Sequence, residues 1–270
     1  MNRIYIIFLL ISLHLITSAQ STDEFFYNRA VEHKENGRYQ ESLQDFNKAI
    51  SINMKNGAAY LGRAEVKTFL EDNKGAMRDF NSGLDILNDN AEGYFKRGKL
   101  RLILADNAGA VRDFTLTLDN APTMYEAFYA RAYAKSLLSD YRGAAEDYAA
   151  YIDNVPDNTE AYYMRGIVKS ALKDYYGAID DFNAFIKHNA KHSMAYTYRG
   201  VCYKGLNNTE EALNDFNTAI AYDSENAEAF YRRGLLKSNA GDKENGCRDL
   251  SRSGELGHKI AFSAIKVLCR

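Results

Sequence analysis

An all-α solenoid of repeated helical hairpins is the fold class this sequence predicts, and three columns of residues predict it. Arg29, Arg63, Arg97, Arg131, Arg165, Arg199 and Arg233 stand 34 residues apart. Asp45, Asp79, Asp113, Asp147, Asp181, Asp215 and Asp249 keep the same spacing. The residue after each Asp is Phe46, Phe80, Phe114, Tyr148, Phe182, Phe216 or Leu250. A period of this length, held without insertion, marks one supersecondary unit stacked on copies of itself. Each unit buries its apolar face on its neighbours, so the length of 270 residues does not set the number of cores.

The chain before the first copy is of another kind. Met1–Arg3 carries one positive charge, residues 4–16 are apolar apart from Ser12 and His14, and Thr17, Ser18 and Ala19 are small. That order predicts a secretory signal peptide over residues 1–19, cut after Ala19. The alternative is an uncleaved membrane anchor, but the apolar run is shorter than the roughly 20 residues a span needs. No Cys stands near the cut, which speaks against a lipid anchor. Residues 20–22 form a short lead. Export to the periplasm or beyond the cell is therefore expected.

Seven units fill residues 23–260: 23–56, 57–90, 91–124, 125–158, 159–192, 193–226 and 227–260. In the fifth, Tyr162, Gly166 and Lys169 share one side of a first helix. Ala178, Ile179, Phe182 and Ile186 follow helical spacing on a second. Asp174 between them is a good N-cap. Asp72, Asp106, Asp140, Asn208 and Asp242 repeat it, and only Arg38 departs. The unit is a helix, a tight turn and an antiparallel helix.

Small residues mark where the helices touch. The eighth position is Ala30, Ala64, Gly98, Ala132, Gly166, Gly200 and Gly234. The twentieth is Ser42, Ala76, Ala110, Ala144, Ala178, Ala212 and Gly246. The fourth is always aromatic: Phe26, Tyr60, Tyr94, Phe128, Tyr162, Tyr196 and Phe230. These rings are expected to fill the space between neighbouring units.

A hairpin that turns near positions fifteen and sixteen brings the seventh and twenty-third level. Framework ion pairs are expected inside the units: Arg63–Asp79, Arg97–Asp113, Arg131–Asp147, Arg165–Asp181 and Arg199–Asp215. The competing geometry has each Asp meeting the Arg of the following unit.

After Gly257 a capping helix is expected from Lys259 to Leu268 within residues 259–270, because a last repeat must cover an otherwise bare face. Cys202 lies in an apolar column and is expected to be buried. The chain reverses between Cys247 and Cys269, so export and an antiparallel pairing make a disulfide between them possible.

The aromatic, small, Ala and Phe columns at these spacings resemble the tetratricopeptide repeat, over essentially all of the mature chain. Pro122 and Pro156 stand where that family often places a closing proline. Arg at the seventh position replaces the family's usual Leu. The run from Gly241 to Cys269 is similar to the ends of exported tetratricopeptide proteins of Bacteroidetes-type bacteria. The resemblance implies a right-handed superhelix with a concave groove lined by the first helices. By that analogy the candidate groove residues are Glu92, Phe95, Lys99, Glu126, Tyr129, Tyr133, Glu160, Tyr163, Ile167, Glu228 and Tyr231. This acidic and aromatic set does not match the Lys/Asn/Arg set with which chaperone-binding relatives grip a C-terminal carboxylate.

No catalytic constellation emerges. His188 and His192 are four apart, a spacing that suits a metal, but they straddle a unit boundary where the helix should have ended. Gly75, Gly109, Gly143 and Gly177 recur at helix starts and are structural. A net charge of -2, or -3 once Arg3 is removed, gives no reason to expect nucleic acid, which would call for a basic face. The expected function is a non-catalytic exported scaffold, without cofactor or metal. It would bind a protein or extended peptide, as a monomer or with weak self-association. A self-assembling or structural part of an envelope complex is the alternative.

Overall fold

The computed structural model describes residues 22–269, and among them all regular secondary structure is helical. The expected signal peptide lies outside the described residues. The chain divides into two compact units, residues 1–122 and 123–270.

The first unit holds three hairpins. They are α1 (Thr22–Glu35) with α2 (Tyr39–Ile52), α3 (Gly57–Phe69) with α4 (Asn73–Ile86), and α5 (Ala91–Ile103) with α6 (Asn107–Asn120). The second unit holds four hairpins and a final helix. These are α7 (Glu126–Leu137) with α8 (Tyr141–Asn154), α9 (Thr159–Ala171) with α10 (Tyr175–His188), α11 (Ser193–Gly205) with α12 (Thr209–Tyr222), α13 (Ala227–Asn239) with α14 (Lys243–Glu255), and α15 (Ala261–Leu268).

The turn inside each hairpin has one construction. The fifteenth position takes a left-handed backbone, at Gly37, Glu71, Ala105, Ser139, Lys173, Asn207 and Gly241. The next residue's N–H then donates back to a carbonyl five residues earlier, as Asp106 does to Arg101 at 2.8 Å and Asp174 to Lys169 at 2.9 Å. This ends the first helix with its last carbonyls satisfied. The same residue starts the second helix: the carboxylates of Asp72, Asp106, Asp140, Asp174 and Asp242 accept a backbone N–H three residues on. Asn208 occupies the cap position without a side-chain bond, as does Arg38. A Cβ at Gly75, Gly109, Gly143 or Gly177 would fall on the capping carboxylate, which explains that glycine column.

Helix faces meet where the small columns run. A Cβ at Gly166 would lie 2.9 Å from the Phe182 ring, and one at Gly200 would lie 2.8 Å from Phe216. Phe46, Phe80, Phe114, Phe182 and Phe216 are fully buried. Each such side chain contributes roughly 1.5–3 kcal/mol.

The Arg–Asp columns form a clamp. In every hairpin the Arg Nε and Nη2 donate to both oxygens of the Asp in the same hairpin, at 2.6 to 2.9 Å. The alternative of Asp reaching the following Arg does not form. Instead, Nη1 of Arg63, Arg97, Arg199 and Arg233 donates to Asn47, Asn81, Asn183 and Asn217 of the preceding hairpin. The fourth-position rings do more than fill space. Each underlies the guanidinium three residues on, 5.1 to 5.6 Å from its centroid.

A second cation reaches most of these carboxylates. Lys67, Arg101, Lys135, Lys169 and Lys237 lie 2.7 to 3.1 Å from Asp79, Asp113, Asp147, Asp181 and Asp249. In the sixth hairpin this position is Tyr203. Burial there outweighs Arg199 and raises the pKa of Asp215. At Asp249, burial is overcome by Arg233 and Lys237, and the pKa falls.

The last helix begins at Ala261, two residues later than the sequence predicts. Gly257 takes a left-handed backbone and the His258 N–H returns to Ser253. This turns His258 onto α13 before helix can resume. Cys247 and Cys269 form a disulfide with Cα atoms 5.7 Å apart, tying α15 to α14. Cys202 is free and buried.

Candidate functional site

The first helices of the hairpins carry every candidate groove residue, and the two units treat them differently. In the first unit, Glu92 pairs with Lys96 at 2.6 Å, one turn on along α5. Lys96 also reaches Glu65 at 2.7 Å, and Glu65 reaches Lys34 at 2.9 Å. This network crosses α5, α3 and α1 beside a cleft of about 210 Å³ that Tyr27 and Leu61 also line. Burial would neutralise Lys96, but Glu65 and Glu92 more than offset it and its pKa is raised. Its hydrogen bond in turn lowers the pKa of Glu92. Phe95 packs 5.7 Å from Phe114, and the Lys99 ammonium sits 4.9 Å over the Phe95 ring. The charge of Glu92 is therefore answered from within the chain.

In the second unit the sequence Glu-Ala-aromatic-Tyr occurs three times, at Glu126–Tyr129, Glu160–Tyr163 and Glu228–Tyr231. The Ala turns inward and is fully buried in all three copies. Helical spacing then puts Glu and Tyr, three residues apart, on one side of the helix, with the Tyr half-buried. Tyr129 leans on Tyr148 and Tyr151, with centroids 5.4 and 5.3 Å away. Tyr133 is 39% exposed. Glu126 and Glu160 are exposed, and neither has an ion pair among the described residues. Tyr163 sits among Phe185, His192 and Tyr198 at 4.8, 5.1 and 6.2 Å. Ile167 packs half-buried beside it. Burial raises the pKa values of Tyr129, Tyr148 and Tyr163, so all three are neutral phenols at physiological pH.

The third copy differs from the other two. Glu228 and Tyr231 are engaged from within the chain. His258 stacks on Tyr231 with centroids 4.3 Å apart, and its Nε2 lies 2.7 Å from Glu228. Arg232 holds the other Glu228 oxygen at 2.6 Å. The capping turn thus covers this end of the first-helix face.

The two histidines spaced for a metal are placed otherwise. His192 caps α11, its Nδ1 accepting the Ala195 N–H at 3.2 Å, while His188 is the last residue of α10. No cluster of three metal-ligating side chains occurs among the described residues. No helix among them is long and apolar enough to cross a membrane.

Tyr148 was missed in the sequence as a site residue. It occupies the buried Phe column, and its hydroxyl has no hydrogen-bond partner. The signal was available: it is the one phenol in a column of Phe and Leu.

Comparison with known proteins agrees with this geometry. Models of the tetratricopeptide repeat match residues 23–56 and 129–191, and a model of the TPR repeat matches residues 200–241. Together these span just over half of the chain. No curated protein matches. Among solved structures, the C-terminal part of a TPR repeat-containing protein from Cytophaga hutchinsonii is similar with a TM-score of 0.70 at 15% identity, covering 88% of this chain and 98% of that one. A tetratricopeptide repeat protein from Parabacteroides merdae gives 0.60 at 18% identity, covering 92% and 99%. YrrB, described as a TPR protein with an unusual peptide-binding site, gives 0.57 at 20% identity, covering 69% and 97%. At these identities the likeness is one of fold.

Proposed function

The chain belongs to the tetratricopeptide-repeat family, and on that premise we propose that it is a non-catalytic scaffold whose first-helix face binds an extended peptide or protein segment. One observation carries this reading. In α7 and α9 the face presents Glu126, Tyr129, Tyr133 and Glu160, and the two exposed carboxylates make no ion pair among the described residues. Elsewhere the chain answers its own groove charges, at Glu92 and at Glu228. The peptide-binding site described for YrrB, a structure of the same fold, supports the choice of ligand class. Selection of a displayed random-peptide library on the purified chain tests it. Enriched peptides should lose binding to a Tyr129→Ala, Tyr133→Ala variant that keeps its helical circular dichroism. Enrichment of nothing above background, or peptides indifferent to that variant, counts against the scaffold.

Export to the cell envelope belongs to the same proposal. The signal-peptide order of residues 1–19 and the Cys247–Cys269 disulfide support it, since such bonds persist in oxidising compartments. Fractionation of cells expressing the full chain, followed by thiol alkylation, reads both.

A self-assembling role is the second reading. It has in its favour the exposed apolar side chains of the capping segment, Ile260, Phe262 and Val267, at 62%, 56% and 77%. Light scattering across a concentration series separates the two: a constant monomer mass removes self-assembly.

A further inference from the structure

The Glu of the Glu–aromatic pair on the first helices is answered internally wherever the chain supplies a cation beside it, and in two copies the Glu is left without one among the described residues. In the third hairpin Glu92 takes Lys96 and Phe95 takes Lys99. In the seventh, Glu228 takes Arg232 and His258, and Tyr231 takes the flat face of His258. The residue one turn after the Glu is the cation in both cases. In the fourth and fifth hairpins that residue is Ala130 and Met164.

His258 also shows the shape of the missing group. It is planar, lies at 24° to the Tyr231 ring, and places a ring nitrogen on the carboxylate. A guanidinium meets the same three demands, and it stacks on aromatic faces while pairing with carboxylates. The seven clamp arginines rest over rings in the same way.

A second, independent observation points at the same place. Tyr148 is fully buried beneath Tyr129, and its hydroxyl has no hydrogen-bond partner. Burial above all, and then Tyr129, Tyr133 and Glu160 on the first helices α7 and α9, raises the pKa of that hydroxyl. A buried hydroxyl without a partner is costly, and a donor from that face satisfies it once the covering Tyr129 ring is displaced.

We propose that Glu126 with Tyr129 and Glu160 with Tyr163 are seats for guanidinium groups, and that the second unit takes an extended segment bearing arginine side chains. This rests on the reading of the first-helix face as a peptide site and names the chemistry of its partner. The net negative charge of the chain favours the encounter.

Fluorescence anisotropy with the whole purified chain is the test. The probes are labelled peptides of repeated Gly-Ser-X triplets in which X is Arg, Lys, citrulline or Glu. Citrulline keeps the shape of Arg and removes its charge. The Arg peptide should bind tightest, about tenfold above citrulline. Glu126→Gln and Glu160→Gln should each weaken it about threefold, the worth of one exposed ion pair. Tyr148→Phe should weaken it as well while keeping the fold. Glu244→Gln, in an exposed pair with Arg248, should change nothing. Equal binding of Arg and citrulline peptides, or an Arg peptide indifferent to both Gln variants, overturns the inference. If displayed peptides of other chemistry still bind the first-helix face, the scaffold reading stands alone. If no peptide of any charge binds, both fall.

Discussion

Arg97 holds both carboxylate oxygens of Asp113, at 2.7 and 2.9 Å, and turns its remaining nitrogen to Asn81 of the preceding hairpin at 2.9 Å. One guanidinium thereby ties α5 to α6 and to α4, over the Tyr94 ring. Arg97→Ala removes the two-pronged partner of a carboxylate that is fully buried and leaves it only Arg101, at 3.1 Å. The expected loss is about 3 kcal/mol, the cost of breaking a buried pair from one side. Asn81→Ala should lose about 1 kcal/mol, one hydrogen bond. Urea midpoints should fall in that order below Arg252→Ala, a surface change within about 0.5 kcal/mol. Three equal midpoints contradict the clamp.

Asp215 is the member of the column whose second cation is replaced by Tyr203. Its raised pKa means that ionisation opposes folding. The favourable contribution is full below the unfolded value and is lost as pH rises through the folded one. Asp249 has the opposite sign: its contribution is present above the unfolded value and lost as pH falls through the lowered one. Tyr203→Lys should bring Asp215 into line with Asp249, moving its carboxyl carbon titration in NMR to lower pH. An unmoved or raised titration speaks against the account.

Gly166→Leu should destabilise far more than Lys187→Ala. The Gly166 Cβ position already lies 2.9 Å from the Phe182 ring, and overpacking costs ~1–3 kcal/mol. Lys187 is exposed and its loss should stay within about ±0.5 kcal/mol. Matching melting temperatures for the two variants are the adverse outcome.

The disulfide spans 22 residues of sequence. Cys269→Ser should loosen α15 by on the order of 3 kcal/mol in the chain-entropy model. Amide exchange should quicken in Ala261–Leu268 and stay unchanged in α1 to α6. In protein purified without reductant, mass spectrometry should show Cys247 and Cys269 unavailable to alkylation. Labelling of both defeats the staple.

The hairpins, their capping aspartates and the close packing at the glycines were legible because each rests on residues a fixed distance apart in one unit. Chemistry that crosses between hairpins was harder to read. Asn81 and Asn47 sit at an exposed position with no apolar periodicity, so their bond to the next Arg left no mark in one copy. Lys67 or Arg101 stands four residues after the clamp Arg, and its pairing with the same Asp follows only from how the two helices lie level. The cover over Glu228 and Tyr231 depends on the path of the turn at Gly257 and His258, which occurs once and has no repeat to average over. Tyr148 reads as one more buried ring until its hydroxyl is found without a partner.

An extended segment is proposed to bind the first-helix face of the second unit. Hydrogen–deuterium exchange of the whole chain with a saturating selected peptide tests it most directly. New protection should concentrate in α7 and α9, Glu126–Leu137 and Thr159–Ala171, with α8 and α10 unchanged. Protection confined to α8 and α10, or none at saturation, would contradict it.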